Sequence, residues 1–173
     1  MMTLIPYTKK DGAWNLPDEV LIWAYGKMII EGLADMVFFD GSIQSVEHFL
    51  NFFHRPDIDM HFIITEEGDL AGMAWLSGYV NGHANVHCVS FKAIHGRTKE
   101  AGKMSIDYWF GVEVEGNKLI NVLIGIFPDN YRWMRMFVKR LGFKVIGSIP
   151  SIFYIAKENK MIGATISYLE RGQ

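Results

Sequence analysis

Near the start of the chain, the apolar positions recur at helical spacing. Between Pro17 and Gly41 one apolar face is formed by residues mostly three or four positions apart, namely Val20, Leu21, Ala24, Met28, Ile29 and Leu33. A second run, SVEHFLNFFHRP, has apolar side chains on one face, can be capped by Ser42 or Ser45, and meets Pro56 at its end. The pattern therefore predicts two helices.

Beyond these helices the period of the pattern shortens from about 3.6 to about 2 residues, which is typical of β-strands. The segment MHFIITEEGDLAGMAWLSGYV has two β-rich runs around an acidic turn at Glu66–Asp69, and it predicts a hairpin. A third run, HANVHCVSFKAI, follows a turn at Asn81–Gly82 and predicts another strand. It leads into HGRTKEAGKMSIDYWFGVEV, where the spacing of Ala101, Met104 and Tyr108 predicts a helix.

The C-terminal part of the chain continues this alternation. KLINVLIGIFP is a nearly continuous apolar run that ends at Pro128, and it predicts a central strand buried on both faces. Asp129 or Asn130 can cap the next helix, YRWMRMFVKRL, which ends at Gly142. KVIGSIPSIFYI and KMIGATISYLE then predict two strands. The order α-α-β-β-β-α-β-α-β-β, without repeats or linkers, predicts one mixed α and β (α+β) domain over residues 1–173.

Composition and charge narrow the range of functions. A chain of 173 residues with 50% hydrophobic and 21% charged content can bury one sizeable core. Its many aromatic and Met residues suit a bulky core or a subunit interface, so the composition allows a homodimer. A net charge of -2 gives no broad positive field, and we expect no nucleic-acid partner. The lone Cys88 excludes an intramolecular disulfide and favours a reducing, cytoplasmic location. With no signal-like segment and no apolar stretch of about 18 residues, we expect no membrane partner.

Motifs of several common enzyme classes are missing from the sequence. The six histidines do not form an HExxH or comparable spacing, so we expect no metal ion. There is also no G-x-S-x-G elbow, Walker loop or dinucleotide fingerprint. These observations argue against the commonest α/β hydrolases, nucleotide hydrolases and dehydrogenases.

The segment from Leu123 to Phe153 resembles the C-terminal signature of the GNAT superfamily of acyl-CoA N-acyltransferases. In that signature a buried strand leads to an Asn-started helix that ends in a Lys/Arg-Leu-Gly-Phe turn. The matching residues are Asn130, Lys139, Arg140, Leu141, Gly142, Phe143 and Gly147. The predicted element order also matches this family along most of the chain. The resemblance implies a mixed central sheet flanked by helices and splayed between HANVHCVSFKAI and KLINVLIGIFP, where the pantetheine arm of acetyl-CoA would lie.

The resemblance also implies a pyrophosphate-binding loop, R/Q-x-x-G-x-G/A, between the family's fourth strand and the next helix. Backbone N–H groups at a helix start can bind phosphate, and glycines let the backbone approach it closely. The corresponding residues are His95, Gly96, Arg97, Thr98, Lys99, Glu100, Ala101 and Gly102. Glu100 stands where the middle glycine would be, and it either repels phosphate or faces solvent and favours the helix dipole. A solvated, charged helix start is the alternative interpretation.

The chemistry implied by the resemblance is attack of a neutral amine on a thioester carbonyl that a backbone N–H of the fourth strand polarises. If one early strand of the family is missing or unrecognised here, that strand is HANVHCVSFKAI, and Phe91 and Ala93 lie nearest the acetyl group. His87 is the nearest candidate base, and its alternative role is that of a hydrogen-bonded strand histidine without catalytic function. Asn130 either supports CoA or caps its helix.

The general acid and the acceptor amine are left open by the sequence. The family's thiolate-protonating Tyr usually lies seven residues after the Asn, and Phe137 at that position cannot donate a proton. Tyr131 is close but lies on another side of the predicted helix, so a water can substitute. The leading function is an acetyl-CoA-dependent N-acetyltransferase, and transfer of another acyl group is possible. Glu100 and Phe137 favour the alternative, a CoA-binding or structural protein with weak or no activity.

Overall fold

The computed structural model describes residues 2–172, and seven of the eleven strands there belong to one mixed sheet with helices on both faces. The α-helices are α1 (Asp18–Ile30), α2 (Ala34–Val37), α3 (Val46–Phe53), α4 (Thr98–Gly111) and α5 (Arg132–Arg140). The strands are β1 (Met2–Tyr7), β2 (Lys9–Lys10), β3 (Ala13–Trp14), β4 (Asp59–Thr65), β5 (Leu70–Val80), β6 (His83–Ser90), β7 (Glu113–Val114), β8 (Asn117–Lys118), β9 (Val122–Pro128), β10 (Lys144–Ile155) and β11 (Lys160–Glu170).

The main sheet has seven strands in the order β1-β4-β5-β6-β9-β11-β10. Its neighbouring strands are antiparallel except for β6 and β9, which are parallel. Two short hairpins, β2–β3 and β7–β8, lie outside it. The predicted α+β class and the mixed sheet are therefore confirmed, as are the β4–β5 hairpin and the strand pair β10–β11.

The predicted first helix is divided in the structure. Helix α1 ends at Ile30, and α2 begins only at Ala34. Between them Gly32 adopts a left-handed backbone with φ +71°, a conformation that glycine adopts without steric cost. The second predicted helix is α3, and of its two possible caps Ser45 is the one used, because its side chain accepts a hydrogen bond from the His48 N–H at 3.2 Å.

The sequence analysis missed the first strand, β1. It lies at the edge of the sheet and pairs antiparallel with β4, from Met2 opposite Thr65 to Tyr7 opposite Met60. Its segment, MTLIPY, contains a proline, which an edge strand tolerates but which weakens a strand prediction. With β1 included, β6 is the fourth strand of the main sheet along the chain, as the resemblance requires.

Two apolar clusters lie on opposite faces of the sheet, because consecutive residues of β5 belong to different clusters. Trp75 packs with α1 and α3, whereas Ala74 packs with Trp109 of α4 and Val138 of α5. On β6 and β9 the second cluster contains Ala84 and residues 123 and 127. Helices α4 and α5 therefore cover one face of the sheet, and α1 and α3 cover part of the other.

The parallel pair β6–β9 opens along its length. Their register runs from His83 opposite Val122 to Asn85 opposite Ile124 and then stops, although the strands continue to Ser90 and Pro128. The predicted splay between these two strands is confirmed. The prediction that β9 is buried on both faces is wrong, because Ile126 is 38% exposed on the face that α4 and α5 do not cover.

Candidate active site

A cleft of about 580 Å³ opens where β6 and β9 separate. Residues 86–90 of β6 and 125–128 of β9 line it, together with side chains of α4 and α5. Met36, Val37 and Phe39, from α2 and the loop after it, also contribute to the lining. The cleft therefore extends from the start of α4, beside the separated strand ends, to the loop that follows the N-terminal helices.

The start of α4 offers backbone donors to this cleft. The helix begins at Thr98 after Arg97, and no side chain caps it, so its first-turn N–H groups have neither an intrahelical acceptor nor a capping acceptor. Gly96 has φ +85°, and no heavy atom lies within 4 Å of where its Cβ would sit. Thr98, Ala101 and Gly102 line the cleft. This geometry suits an anionic group.

Arg97 and Glu100 pair with each other at this helix start. Arg97 donates from Nε and Nη2 to the two carboxylate oxygens of Glu100, each at 3.0 Å. The hydrogen bond from Arg97 lowers the pKa of the Glu100 carboxyl. Both side chains are about half exposed and lie outside the cleft lining, as do His95, Gly96 and Lys99. Glu100 thus faces neither a phosphate nor empty solvent, but the cation expected to bind phosphate.

Gly102 has a packing role in addition to its place in the lining. A Cβ at this position would lie 2.8 Å from Cδ1 of Leu141, beyond the end of α5. The small residue therefore lets α4 pack closely against the Lys-Arg-Leu-Gly turn. Packing alone accounts for this glycine, so its presence is not specific to a phosphate loop.

The structure does not place Phe91 and Ala93 at the cleft. Phe91 is fully buried in the cluster beneath α1, and its N–H donates to the Ala71 carbonyl at 2.9 Å. Ala93 lies in the 3₁₀ turn Lys92–Ile94, away from the lining. The committed N–H of Phe91 cannot polarise a thioester carbonyl, and Ala93 lies outside the lining, so the structure does not support the expectation for these two residues; residues 86–90 are the part of this segment that lines the cleft.

His87, the candidate base, lies in the cleft wall and is also a hydrogen-bonded strand histidine. Its ring stacks on Trp75 with centroids 5.3 Å apart, and its Nε2 lies 2.8 Å from Ser77 Oγ. Burial lowers the pKa of His87 to about 4, so the imidazole is neutral at pH 7. The neighbouring Cys88 also lines the cleft, but burial raises the pKa of its thiol to about 11, so it is not a nucleophile at neutral pH.

Neither residue predicted to cap α5 does so. The helix starts after Tyr131 without a side-chain cap, and Asn130 is exposed and outside the cleft lining. The Asp129 carboxylate instead accepts hydrogen bonds from Thr165 Oγ1 at 2.6 Å and Ser148 Oγ at 3.0 Å. These partners lie on β11 and β10, so a tertiary interaction has displaced the local cap.

Tyr131 is a site residue that the sequence analysis placed wrongly. It precedes α5 instead of lying on another side of it, and it lines the cleft together with Phe137. Its hydroxyl donates to the Met36 carbonyl at 3.2 Å, and burial, with a smaller effect from Glu158, raises its pKa. The protonated Tyr131 phenol and the Phe137 ring therefore line the same cleft.

Two other kinds of site are absent from residues 2–172. No group of three or more His, Cys, Asp or Glu side chains there is arranged to hold a metal ion. None of the helices in that range combines the length and the apolar character of a membrane span. The cleft between β6 and β9 is therefore the site to which the sequence motifs and the geometry both lead.

Solved structures match this architecture over almost the whole chain. Spermidine N-acetyltransferase from Vibrio cholerae, in complex with CoA and spermine, matches with a TM-score of 0.76 and 12% identity over 98% of this chain and 95% of that chain. The chain has the GNAT acyltransferase fold. Mutant forms of the spermidine/spermine N-acetyltransferase SpeG from Vibrio cholerae match this chain with a TM-score of 0.71 and 14% identity over 99% of this chain and 95% of that chain. In sequence, no family model and no curated protein matches it.

Proposed function

We propose that the protein is an N-acetyltransferase that transfers an acetyl group from acetyl-CoA to an amine. The observation that supports this most is the separation of β6 from β9 after Asn85 and Ile124, with an apolar cleft beside the uncapped start of α4. A structure with the same fold contains CoA. The single Cys88 is compatible with a reducing, cytoplasmic location, which is part of this proposal.

The residues present fit the chemical parts of acetyl-CoA. The open Gly96 turn and the first-turn N–H groups of α4 suit the pyrophosphate, with Arg97 and Lys99 nearby in sequence. Residues 86–90 have no β9 partner beyond Asn85, so their outward backbone groups can pair with the amides of a pantetheine arm. Arg140 adds a cation to the cleft lining. We therefore assign residues 95–99, Ala101, Gly102 and residues 86–90 to cofactor binding.

Acetyl-CoA supplies an acetyl thioester, whose C–S bond breaks as the new N–C bond forms. His87 lies in the cleft wall and is unprotonated at pH 7, so we assign it the role of relaying the proton that the amine loses, directly or through a water, to solvent, because a group with a pKa of about 4 does not retain a proton at pH 7. Tyr131 remains protonated because burial raises its pKa, and we assign it the return of a proton to the departing sulfur, for which its hydroxyl must turn away from the Met36 carbonyl and afterwards regain a proton from solvent. Ser77 fixes the orientation of the His87 ring through Nε2. Asn130 is exposed and has no role in this step.

The proposal predicts measurable acetyl-CoA binding and turnover. Calorimetry should show saturable binding of acetyl-CoA, and a thiol assay with a panel of primary amines should show one free CoA thiol released per acetylated amine. Mass spectrometry of the product identifies the acceptor and the acyl group. Absence of any CoA binding would contradict the proposal at its first step.

A second function is favoured by two departures from the family pattern. Phe137 replaces the usual proton donor, and Glu100 occupies the middle glycine of the phosphate loop and pairs with Arg97. A CoA-binding protein with weak or no catalytic activity would retain the cleft without the chemistry. Binding of CoA without turnover of any amine would favour this function over the first.

Charge at the start of α4 should control the affinity for acetyl-CoA. Arg97→Glu is expected to weaken binding about tenfold, whereas Glu100→Gln is expected to strengthen it about threefold by releasing Arg97 and removing a negative charge. Calorimetry at low and high salt measures both, and the differences should shrink at high salt. Lys10→Glu, an exposed change of the same charge on β2, is the control. Unchanged affinity in Arg97→Glu would place the pyrophosphate elsewhere.

A homodimer remains a prediction, and the edge strand β10 is the surface that favours it. Four large apolar side chains are exposed there: Ile146, Ile149, Ile152 and Tyr154. Pro150 and two register irregularities interrupt the pairing of β10 with β11, which limits continuous strand addition at this edge. A second copy packing through side chains is therefore favoured over one joining the sheet.

A further inference from the structure

We propose that the acceptor is a primary amine carried on an aromatic or other apolar group, without a second positive charge, and not a polyamine. This inference rests on the proposed function and concerns the same cleft. It follows from the charges and the side chains at the end of the cleft away from α4. That acceptor end is defined by the following residues: Met36, Phe39, Trp75, His87, Ile126 and Tyr131.

The acceptor end presents aromatic and aliphatic surface. Trp75 stacks on His87, and Tyr131 contacts Phe39 with ring centroids 6.5 Å apart. Ile126 is 38% exposed on the open face of β9. Because His87, the proposed base, lies in this wall, an amine that reaches it must place its attached group against the same apolar side chains. Such contacts favour a substrate with an apolar body.

No carboxylate lines the cleft in the part of the chain that the structure describes. Of the carboxylates closest in sequence or in electrostatic effect to the acceptor end, Asp35 forms an exposed ion pair with Lys157 at 3.5 Å, Glu158, whose charge acts on Tyr131, pairs with Lys160, and Asp129 accepts hydrogen bonds from Thr165 and Ser148. The formally charged side chain in the lining, Arg140, adjoins Leu141 at the α4 end of the cleft and supplies no counter-charge for a cation at the acceptor end. A second ammonium group in this cleft would be desolvated without a counter-charge, which is strongly unfavourable.

Aromatic rings can attract an ammonium group, but here this attraction does not replace a carboxylate. Trp75 already stacks with His87 and Phe38, and Tyr131 stacks with Trp133. The Trp75 Nε1–H group is buried without a hydrogen-bond partner among the described residues. Because it is a donor, only a hydrogen-bond acceptor can satisfy it. An alkylammonium has only donors and cannot satisfy it. Cation–π attraction is also weaker than the loss of an ammonium group's hydration.

Matched amines test this inference directly. At saturating acetyl-CoA, kcat/KM should be about tenfold or more higher for hexylamine and 2-phenylethylamine than for 1,6-diaminohexane and spermidine, since a charged end replaces an apolar one. Each CH₂ added to a monoamine should raise kcat/KM about fourfold until the cleft is filled. Equal or higher values for the diamine or spermidine would overturn the inference but leave the acetyltransferase function standing. No turnover of any amine would overturn the proposed function and this inference together.

A charge introduced into the acceptor end should change this selectivity. Met36→Glu is expected to reduce the preference for hexylamine over 1,6-diaminohexane about tenfold, because it supplies the missing counter-charge. The control is Ile152→Glu, which adds the same charge at an exposed position of β10 outside the cleft and should keep the wild-type ratio. Ile126→Glu, at a partly exposed strand position, repeats the test if Met36→Glu does not fold. A wild-type ratio in a folded Met36→Glu or Ile126→Glu protein would overturn the assignment of the acceptor end.

Discussion

Replacement of His87 with alanine is expected to lower kcat about 10²-fold or more at neutral pH, with acetyl-CoA affinity within about twofold of wild type. A base acts on the acceptor amine in the transition state and has little contact with the cofactor. His87 lies in the cleft wall, and its ring is neutral at pH 7 because burial lowers its pKa to about 4. Steady-state kinetics with the best amine and calorimetry with acetyl-CoA measure the two quantities.

His87→Gln separates the chemical role of His87 from a structural one. A glutamine can keep a hydrogen bond to Ser77 but cannot accept a proton at neutral pH, so it should restore thermal stability without restoring kcat. His48→Ala, which removes an exposed imidazole of α3, controls for the loss of a histidine elsewhere. If His87→Ala and wild type turn over at equal rates across the neutral range, where the His87 ring is unprotonated, a water is the base.

The sequence predicted those parts of the fold in which the local pattern and the tertiary structure agree. The β4–β5 hairpin and helix α3 with its Ser45 cap have their apolar period, turn residues and end signals within one short segment. Strand β1 was missed because it is short and contains Pro6, so its local sequence signal is weak. The strand is stabilised by its pairing with β4. The division of the first helix depends on the left-handed Gly32, which periodicity does not detect.

Site residues were harder to predict because their roles depend on contacts between distant segments. Asp129 is a residue type that often caps helices. Here its carboxylate instead accepts hydrogen bonds from Thr165 on β11 and Ser148 on β10. Phe91 follows β6 directly, but its N–H donates a hydrogen bond to the Ala71 carbonyl and its ring is buried in the core. His87 and the residues at the start of α4 could be named as candidates because the strand-to-helix transition is visible in the sequence, whereas the pairing of Arg97 with Glu100 is visible only in the side-chain geometry.

The protein is expected to lose stability steeply as the pH falls from about 6.5 to about 4. Burial lowers the pKa of both His61 and His87 to about 4, against about 6.5 in an unfolded chain. Between these values the unfolded state binds more protons than the folded state, so the free energy of unfolding decreases with decreasing pH. Above about pH 6.5 the full stability is present. The loss by pH 4 amounts to up to about 3 kcal/mol for each histidine, and urea unfolding across this range measures it.

His61→Gln tests which group carries this dependence. His61 is fully buried, and its Nε2 lies 2.8 Å from Ser105 Oγ, so a glutamine can keep that hydrogen bond without titrating. The variant should lose about half of the acid sensitivity, and His87→Gln should lose a similar share. Burial raises the pKa of Asp59, which acts in the opposite direction at the acid end, but the wild type and both variants share this effect. Acid sensitivity unchanged in both variants would show that the buried imidazoles do not remain neutral in the folded protein.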